Sequence, residues 1–246
     1  MRVLALDTTT RAGSVAIVDD DRTLAEARGD AARSHAERLP AELVALLAAH
    51  NLAIADIDLF AVAAGPGSFT GLRVGIAAMQ GFALVGRRPL AGISALDALA
   101  HAASDALVAG VRIASWMDAH RREVFAALYE VSADPQSHEG RLREIEGPTV
   151  GDPSETLARW QTLGVQPTMF VGDGATLYAD TIGRERPHVR VLAAPLLAAT
   201  IGRLALARAA TGAVSGAASV QPLYVRRPDA EIARERRTST TTVDTE

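Results

Sequence analysis

Two aspartates and one glycine-rich loop are the residues of this chain whose types and spacing could do chemistry. Asp7 ends the apolar run Val3 to Leu6 and opens the turn Thr8-Thr9-Thr10, and Asp118 ends Val111 to Met117 and opens the turn His120-Arg121-Arg122. Carboxylates at such strand ends can hold magnesium beside a nucleotide, although two alone bind it weakly. Their structural alternative is to accept backbone hydrogen bonds inside a tight turn. The loop is Gly65-Pro66-Gly67-Ser68-Phe69-Thr70-Gly71, between an apolar run and a helical pattern. Its glycines tolerate positive φ and its proline fixes φ, so the connection is tight. A turn of this kind aims N–H groups out of a helix N-terminus, where anions usually bind. Named templates fail, however. No Lys-Ser/Thr follows, Thr70 stands where a dinucleotide fold needs its third glycine, and Pro66 stands where a nucleophile elbow needs glycine before Ser68. A structural turn is the favoured role.

The remaining chemistry is sparse. All 25 basic residues are arginine, which removes a P-loop lysine and any Schiff base, and the absence of cysteine removes disulfides, thiolate catalysis and thiolate zinc sites. His35, His50, His101, His120, His138 and His188 show no paired ligand spacing. His120 is the one near a proposed cleft, with a general base and a surface residue as its two readings. A net charge of −4 lacks the positive field of a stand-alone nucleic-acid binder.

The elements that must position these groups repeat. The first unit reads as strand (Val3 to Leu6), Asp turn, strand (Ser14 to Val18), a third strand at Leu24 to Arg28, then a helix capped by Ser34 with Glu37 three residues on. Leu39, Leu43, Leu46 and Leu47 give that helix one apolar face, and Pro40 complicates its first turns. Leu59 to Ala63 feeds the glycine loop, and Leu72 to Val85 is a helix whose sole charge is Arg73. Leu72, Ile76, Met79 and Ala83 can face the sheet, which leaves Val74, Gly75, Ala78, Gly81 and Val85 elsewhere without polar cover. The second unit places strands at Val111 to Met117 and Val124 to Tyr129, with Met169 to Val171 entering a second glycine turn. Asp118 follows Asp7 by 111 residues and Gly172 follows Gly65 by 107. The matching offsets predict a duplicated α/β fold, two lobes of mixed sheet flanked by helices around a cleft. Lobes are expected over residues 1–104 and 105–225, with a disordered tail over 226–246.

The duplicated hairpins resemble the actin, sugar-kinase and Hsp70 superfamily, whose Asp turns face a nucleotide in the cleft. Within it, Asp7-Thr8-Thr9, the Gly65 to Gly75 block, Gly92-Ile93-Ser94-Ala95-Leu96, Asp118-Ala119-His120-Arg121-Arg122-Glu123-Val124-Phe125 and Pro222-Leu223-Tyr224-Val225-Arg226 resemble the TsaB family. One departure is His120, where that family commonly has arginine. The resemblance implies a non-catalytic subunit in threonylcarbamoyl transfer to the tRNA adenosine next to the anticodon, acting through the catalytic paralogue TsaD together with the ATPase TsaE. TsaD-like proteins carry two histidines four residues apart as metal ligands, and the corresponding positions here are Ser94 and Ala98. Superfamily phosphate turns carry Asp-x-Gly, since backbone without Cβ can approach phosphate oxygens. Thr9 and His120 replace those glycines, so no metal or cofactor is expected on the chain alone, and a nucleotide at the interface with TsaD stays open.

The resemblance also implies that the two helices of the first lobe bundle with the same helices of TsaD. Leu39, Leu43, Leu46, Ala78 and Val85 form the expected contact set. A homodimer would use the same kind of face, and tRNA is expected through the complex. The competing class is an independent ATP-dependent phosphotransferase or a glycoprotease-like hydrolase. Met1 to Asp7 reads as a strand and not as a leader, and apolar stretches look too short or too interrupted to span a bilayer, so a cytoplasmic protein without a membrane partner is expected.

Overall fold

The computed structural model describes residues 1–20, 22–133, 141–214 and 216–226, and its frame is a pair of five-stranded mixed sheets. The first repeat supplies β1 (Arg2–Asp7), β2 (Ser14–Asp19), β3 (Arg22–Arg28), α1 (His35–Ala49), β4 (Leu59–Gly65), α2 (Phe69–Gly86), β5 (Leu90–Ser94) and α3 (Ala95–Ser104). The second supplies β6 (Arg112–Asp118), β7 (Val124–Val131), β8 (Leu142–Gly151), α4 (Pro153–Thr162), β9 (Met169–Val171), α5 (Asp173–Leu177), α6 (Ala179–Glu185), β10 (Arg190–Leu192) and α7 (Ala198–Ala210). The sheet orders, β3-β2-β1-β4-β5 and β8-β7-β6-β9-β10, are one topology used twice. In each, two antiparallel pairs come from a meander and two parallel pairs come from helical crossovers. This is a duplicated α/β fold, two mixed sheets of one topology flanked by helices. Of the disordered tail expected over 226–246, Arg226 is instead held in place by bonds to Ala119 O and Glu123, and residues 227–246 lie outside the described residues.

Alternation along the strands divides the core into three layers. Leu4, Leu6, Phe60 and Val62 point to the side covered by Leu39, Leu43 and Leu47 of α1 and by Ile76, Met79 and Ala83 of α2. Trp116, Ala126 and Leu128 point to α4, where Trp160 of α4 and Phe170 of β9 complete an aromatic cluster. The central layer joins Val3, Ala5 and Ala61 to Ile113, Met117 and Ala127 through α3 and α7. The chain crosses over here: α3 packs on the second sheet and α7 on the first. Ser14 Oγ accepts the Ala198 N–H at 3.0 Å, and Glu26 Oε1 accepts the Ala199 N–H at 2.8 Å, so strands of one repeat cap a helix of the other. The packing therefore runs across the boundary drawn between residues 104 and 105.

Local chemistry explains the two helices that matter most. Glu37 accepts from Ser34 N and Ser34 Oγ at 2.8 and 2.7 Å, which fixes the start of α1. The helix continues through Pro40, whose missing N–H leaves the Ala36 carbonyl without its helical donor on the exposed side. α2 begins at Phe69, three residues before the apolar period does, because Ser68 caps it by accepting from Gly71 N at 3.2 Å. At 18 residues α2 is long and apolar enough to cross a bilayer by length and composition, which corrects the expectation that no stretch is. One stripe of it lies on the first sheet.

Candidate functional site

The two Asp turns are closed by their own hydrogen bonds. Asp7 Oδ1 accepts from Thr9 N at 2.9 Å and from Thr9 Oγ1 at 2.7 Å, and Asp7, Thr8 and Thr9 are all buried. Burial raises the Asp7 carboxyl above its ordinary range, the Thr9 donors oppose that rise, and the nearby Asp173 charge adds to it. At the second turn, Asp118 Oδ1 accepts from His120 N at 2.8 Å, and the exposed His120 ring has Nδ1 3.1 Å from Asp118 Oδ2. Asp173 Oδ1 accepts the Asp118 N–H at 3.2 Å. Thr9 and His120 thus hold the aspartates by the bonds that define an Asx turn.

The glycine loop lies on the first turn, and its glycines are explained by that contact. A Cβ on Gly67 would stand 2.6 Å from Thr9 Cβ, one on Gly71 2.2 Å from Thr8 O, and one on Gly75 2.2 Å from Thr8 Oγ1. Gly75, expected on the free side of α2, therefore faces the hairpin. The Ser68 N–H donates to Thr9 O at 2.8 Å and the Gly71 N–H to Ser68 Oγ, so two donors of this loop are already used. Thr8 and Thr9 pack directly on the glycines of the loop, which lets the loop and the hairpin approach this closely.

The metal positions implied for the paralogue are spent on structure as well. Ser94 Oγ caps α3 by accepting from Asp97 N at 3.3 Å, and Ala98 is buried in the central layer. Among the described residues, no group of three His, Asp or Glu side chains is placed to hold a metal ion. His35 Nε2 meets Thr10 O at 3.0 Å and its Nδ1 meets Arg38. Buried Arg38 also reaches Ala12 O and Glu42, tying α1 to the first turn. His138 lies outside the described residues.

What stays open is a helix face. On α1, Ala41, Val44, Ala45 and Ala48 are exposed at three- and four-residue spacing, and on α2 so are Ala77, Gly81, Leu84 and Val85. Val44 is 51% exposed, Leu84 64% and Val85 86%. The two helices pack against each other, so their stripes adjoin; none of these exposed residues carries a charge, and Glu42, the one charged residue between Ala41 and Ala48, is half-buried against Arg38. Leu39 and Leu43, expected in this contact set, are buried under α1 in the lobe's own core and have no surface to offer. Leu46 and Ala78 are half-buried at its margin, and Val85 is fully presented. Val44 and Leu84 were missed because a helical period assigns a face to core or to surface only when the position of the sheet is known.

Residues 216–226 add an element that periodicity did not reveal. The segment runs along α2, where Gln80 Nε2 donates to Ala217 O and Val220 O at 3.1 Å each, and joins β4 through Leu223 N to Ala64 O at 2.7 Å. It ends on the second repeat, where Arg226 donates to Ala119 O and to Glu123 and lies over Phe125.

A family model described as TsaD, tRNA N6-adenosine threonylcarbamoyltransferase, matches residues 27–234. The tRNA threonylcarbamoyladenosine biosynthesis protein TsaB of Escherichia coli K12 is 32% identical over 192 residues, covering 72% of this chain and 81% of that one. The protein of the same description from Haemophilus influenzae is 36% identical over 189 residues, covering 73% and 75%. Among solved structures, YeaZ from Pseudomonas aeruginosa aligns with a TM-score of 0.74 at 29% identity, over 91% of this chain and 99% of that one.

Proposed function

Because the chain belongs to the TsaB family, and so to tRNA threonylcarbamoyladenosine biosynthesis, we propose that it is a non-catalytic subunit that binds and organises the catalytic paralogue TsaD, with TsaE joining through that complex. The observation that carries this reading is the pairing of a closed nucleotide corner with an open helix face. Thr8 and Thr9 fill the corner, while Val44, Leu84 and Val85 lie exposed on two adjoining helices. An apolar face of that kind on a protein of this size ordinarily marks an interaction surface. Small residues at Ala77, Ala78 and Gly81 let a partner helix approach closely, and no atom lies within 4 Å of a Cβ built on Gly81. The contact surface is therefore Val44, Leu46, Ala78, Leu84 and Val85, with Leu39 and Leu43 supporting it from beneath. tRNA is engaged through the complex, the work is cytoplasmic, and a homodimer on the same face competes with the heterodimer. Ala78→Glu tests the reading in a titration with purified TsaD. Association should be lost with circular dichroism unchanged, and unaltered association would remove this face.

A further inference from the structure

We infer that Arg73, held by Phe69 and Tyr224 at the end of the α2 stripe, is a preformed receptor for a carboxylate on the partner that covers α1 and α2. This rests on the helix-face reading above and adds to it the chemistry that selects the partner. Arg73, Ala77, Gly81 and Leu84 follow one another at helical spacing, so a partner covering the apolar stripe also covers the guanidinium. That guanidinium is fixed before any partner arrives. Its carbon sits 3.9 Å from the centroid of the Phe69 ring, and its Nε donates to Tyr224 OH at 2.9 Å. Phe69 and Tyr224 stack at 5.1 Å, and Leu223 N bound to Ala64 O anchors the segment that brings Tyr224 there. Among the described residues neither Nη has a hydrogen-bond partner, so the outer fork is free.

A groove of about 310 Å³ opens beside it between α2 and residues 220–224, lined in part by Ala77, Gln80, Gln221 and Tyr224. A planar fork with its Nε occupied and both Nη groups presented suits a carboxylate held by two parallel bonds. Covering it with apolar surface and no anion would leave a desolvated, unpaired charge, which strongly disfavours that complex. Glu42, the one carboxylate between Ala41 and Ala48, is already engaged by Arg38 and by the Asp30 N–H, and the sequence between Ala77 and Val85 contains none. A second copy docked on the same face therefore offers Arg73 only a carboxylate that Arg38 already holds, and the residue favours a partner with a free carboxylate over self-association. An RNA backbone fits less well, because the neighbours along the stripe are apolar and the next arginines of this helix, Arg87 and Arg88, stand beyond its far end.

The test is calorimetric titration of the full chain with purified TsaD at low and high salt, using Arg73→Glu, Arg73→Lys, Tyr224→Phe and Ala78→Glu. Arg73→Glu should weaken association about thirtyfold or more and flatten its salt dependence. Arg73→Lys should fall between it and the parent, since a single ammonium cannot reproduce the fork. Tyr224→Phe should weaken association by a smaller factor, by freeing the guanidinium while keeping the ring. Arg73→Glu within twofold of the parent while Ala78→Glu abolishes association would overturn the carboxylate receptor and leave the helix face standing. Neither variant having an effect would overturn both. An Arg73→Glu chain that binds TsaD normally, in a complex that has lost affinity for tRNA, would also overturn the inference and assign the cation to RNA.

Discussion

Substituting Gly75 by alanine tests whether the glycine block is shaped by packing on the first hairpin. A Cβ there would lie 2.2 Å from Thr8 Oγ1, 3.0 Å from Thr8 Cγ2 and 3.1 Å from Thr8 Cβ. Overpacking of this kind costs ~1–3 kcal/mol. Exchanging glycine for alanine inside a helix returns ~1 kcal/mol, so the net loss is up to about 2 kcal/mol. Thr8→Ala removes a buried hydroxyl that has no hydrogen-bond partner among the described residues, together with one methyl group. Relief of the unmet hydroxyl, ~1–3 kcal/mol, offsets the lost methyl burial of ~0.8 kcal/mol and its small cavity, leaving that variant near neutral. In the double variant the two sharpest contacts are gone and the helix gain remains, so it should be at least as stable as Thr8→Ala alone. The expected coupling between the sites is ~1–3 kcal/mol. Urea unfolding of the four proteins measures it through midpoints at unchanged slope. Gly75→Ala clearly more stable than the parent, or effects that add to within ~0.5 kcal/mol, would refute the packing argument.

Asp7→Asn keeps an Oδ1 that can accept both Thr9 bonds and removes a buried charge. Because the folded carboxyl is raised, the parent loses stability as pH rises from the unfolded value of about 3.9 up through the folded value, and the loss is constant above it. The asparagine variant should therefore match the parent in acid and exceed it at neutral pH, with tRNA modification by the complete system intact; lost activity in a well-folded variant would instead give Asp7 a chemical role. Val85→Glu, at an 86% exposed position, should alter stability by no more than ~0.5 kcal/mol yet exclude TsaD from co-elution in gel filtration, and unchanged co-elution would count against the face. Arg226→Gln breaks the bonds to Ala119 and Glu123 that end the C-terminal segment on the second repeat, and should lower stability by ~1–2 kcal/mol, read by scanning calorimetry as a fall of ~2–8 °C.

The hairpins were legible because each announces itself locally, as an apolar run, an aspartate and a polar turn. The similar spacing of Asp7 and Asp118 and of Gly65 and Gly172, 111 and 107 residues, was enough to read the duplication now seen in two sheets of one topology. The replacement of α3 and α7 across the sheets was not legible, because an apolar helix such as Ala95–Ser104 carries no mark of which sheet it will cover. The helix face was half legible. α1 carries two apolar stripes, Leu39-Leu43-Leu46-Leu47 and Ala41-Val44-Ala45-Ala48, and only the sheet underneath tells which of them is core. The segment 216–226 is held by a few long-range bonds with Gln80, Arg73 and Ala64, which leave no periodic trace. Arg73 was visible as the lone charge of α2, whereas its fixation by Tyr224, 151 residues away in the chain, was not.

The most direct test of the central claim is an omission assay. Threonylcarbamoyl transfer to tRNA would be measured with TsaD, TsaE and supplied threonylcarbamoyl-adenylate, with and without this chain, alongside the chain by itself. Transfer only when the chain is added, with none from the chain alone, is the predicted result. Full transfer by TsaD and TsaE without it, or transfer by the chain alone, would contradict the account of an obligatory non-catalytic partner.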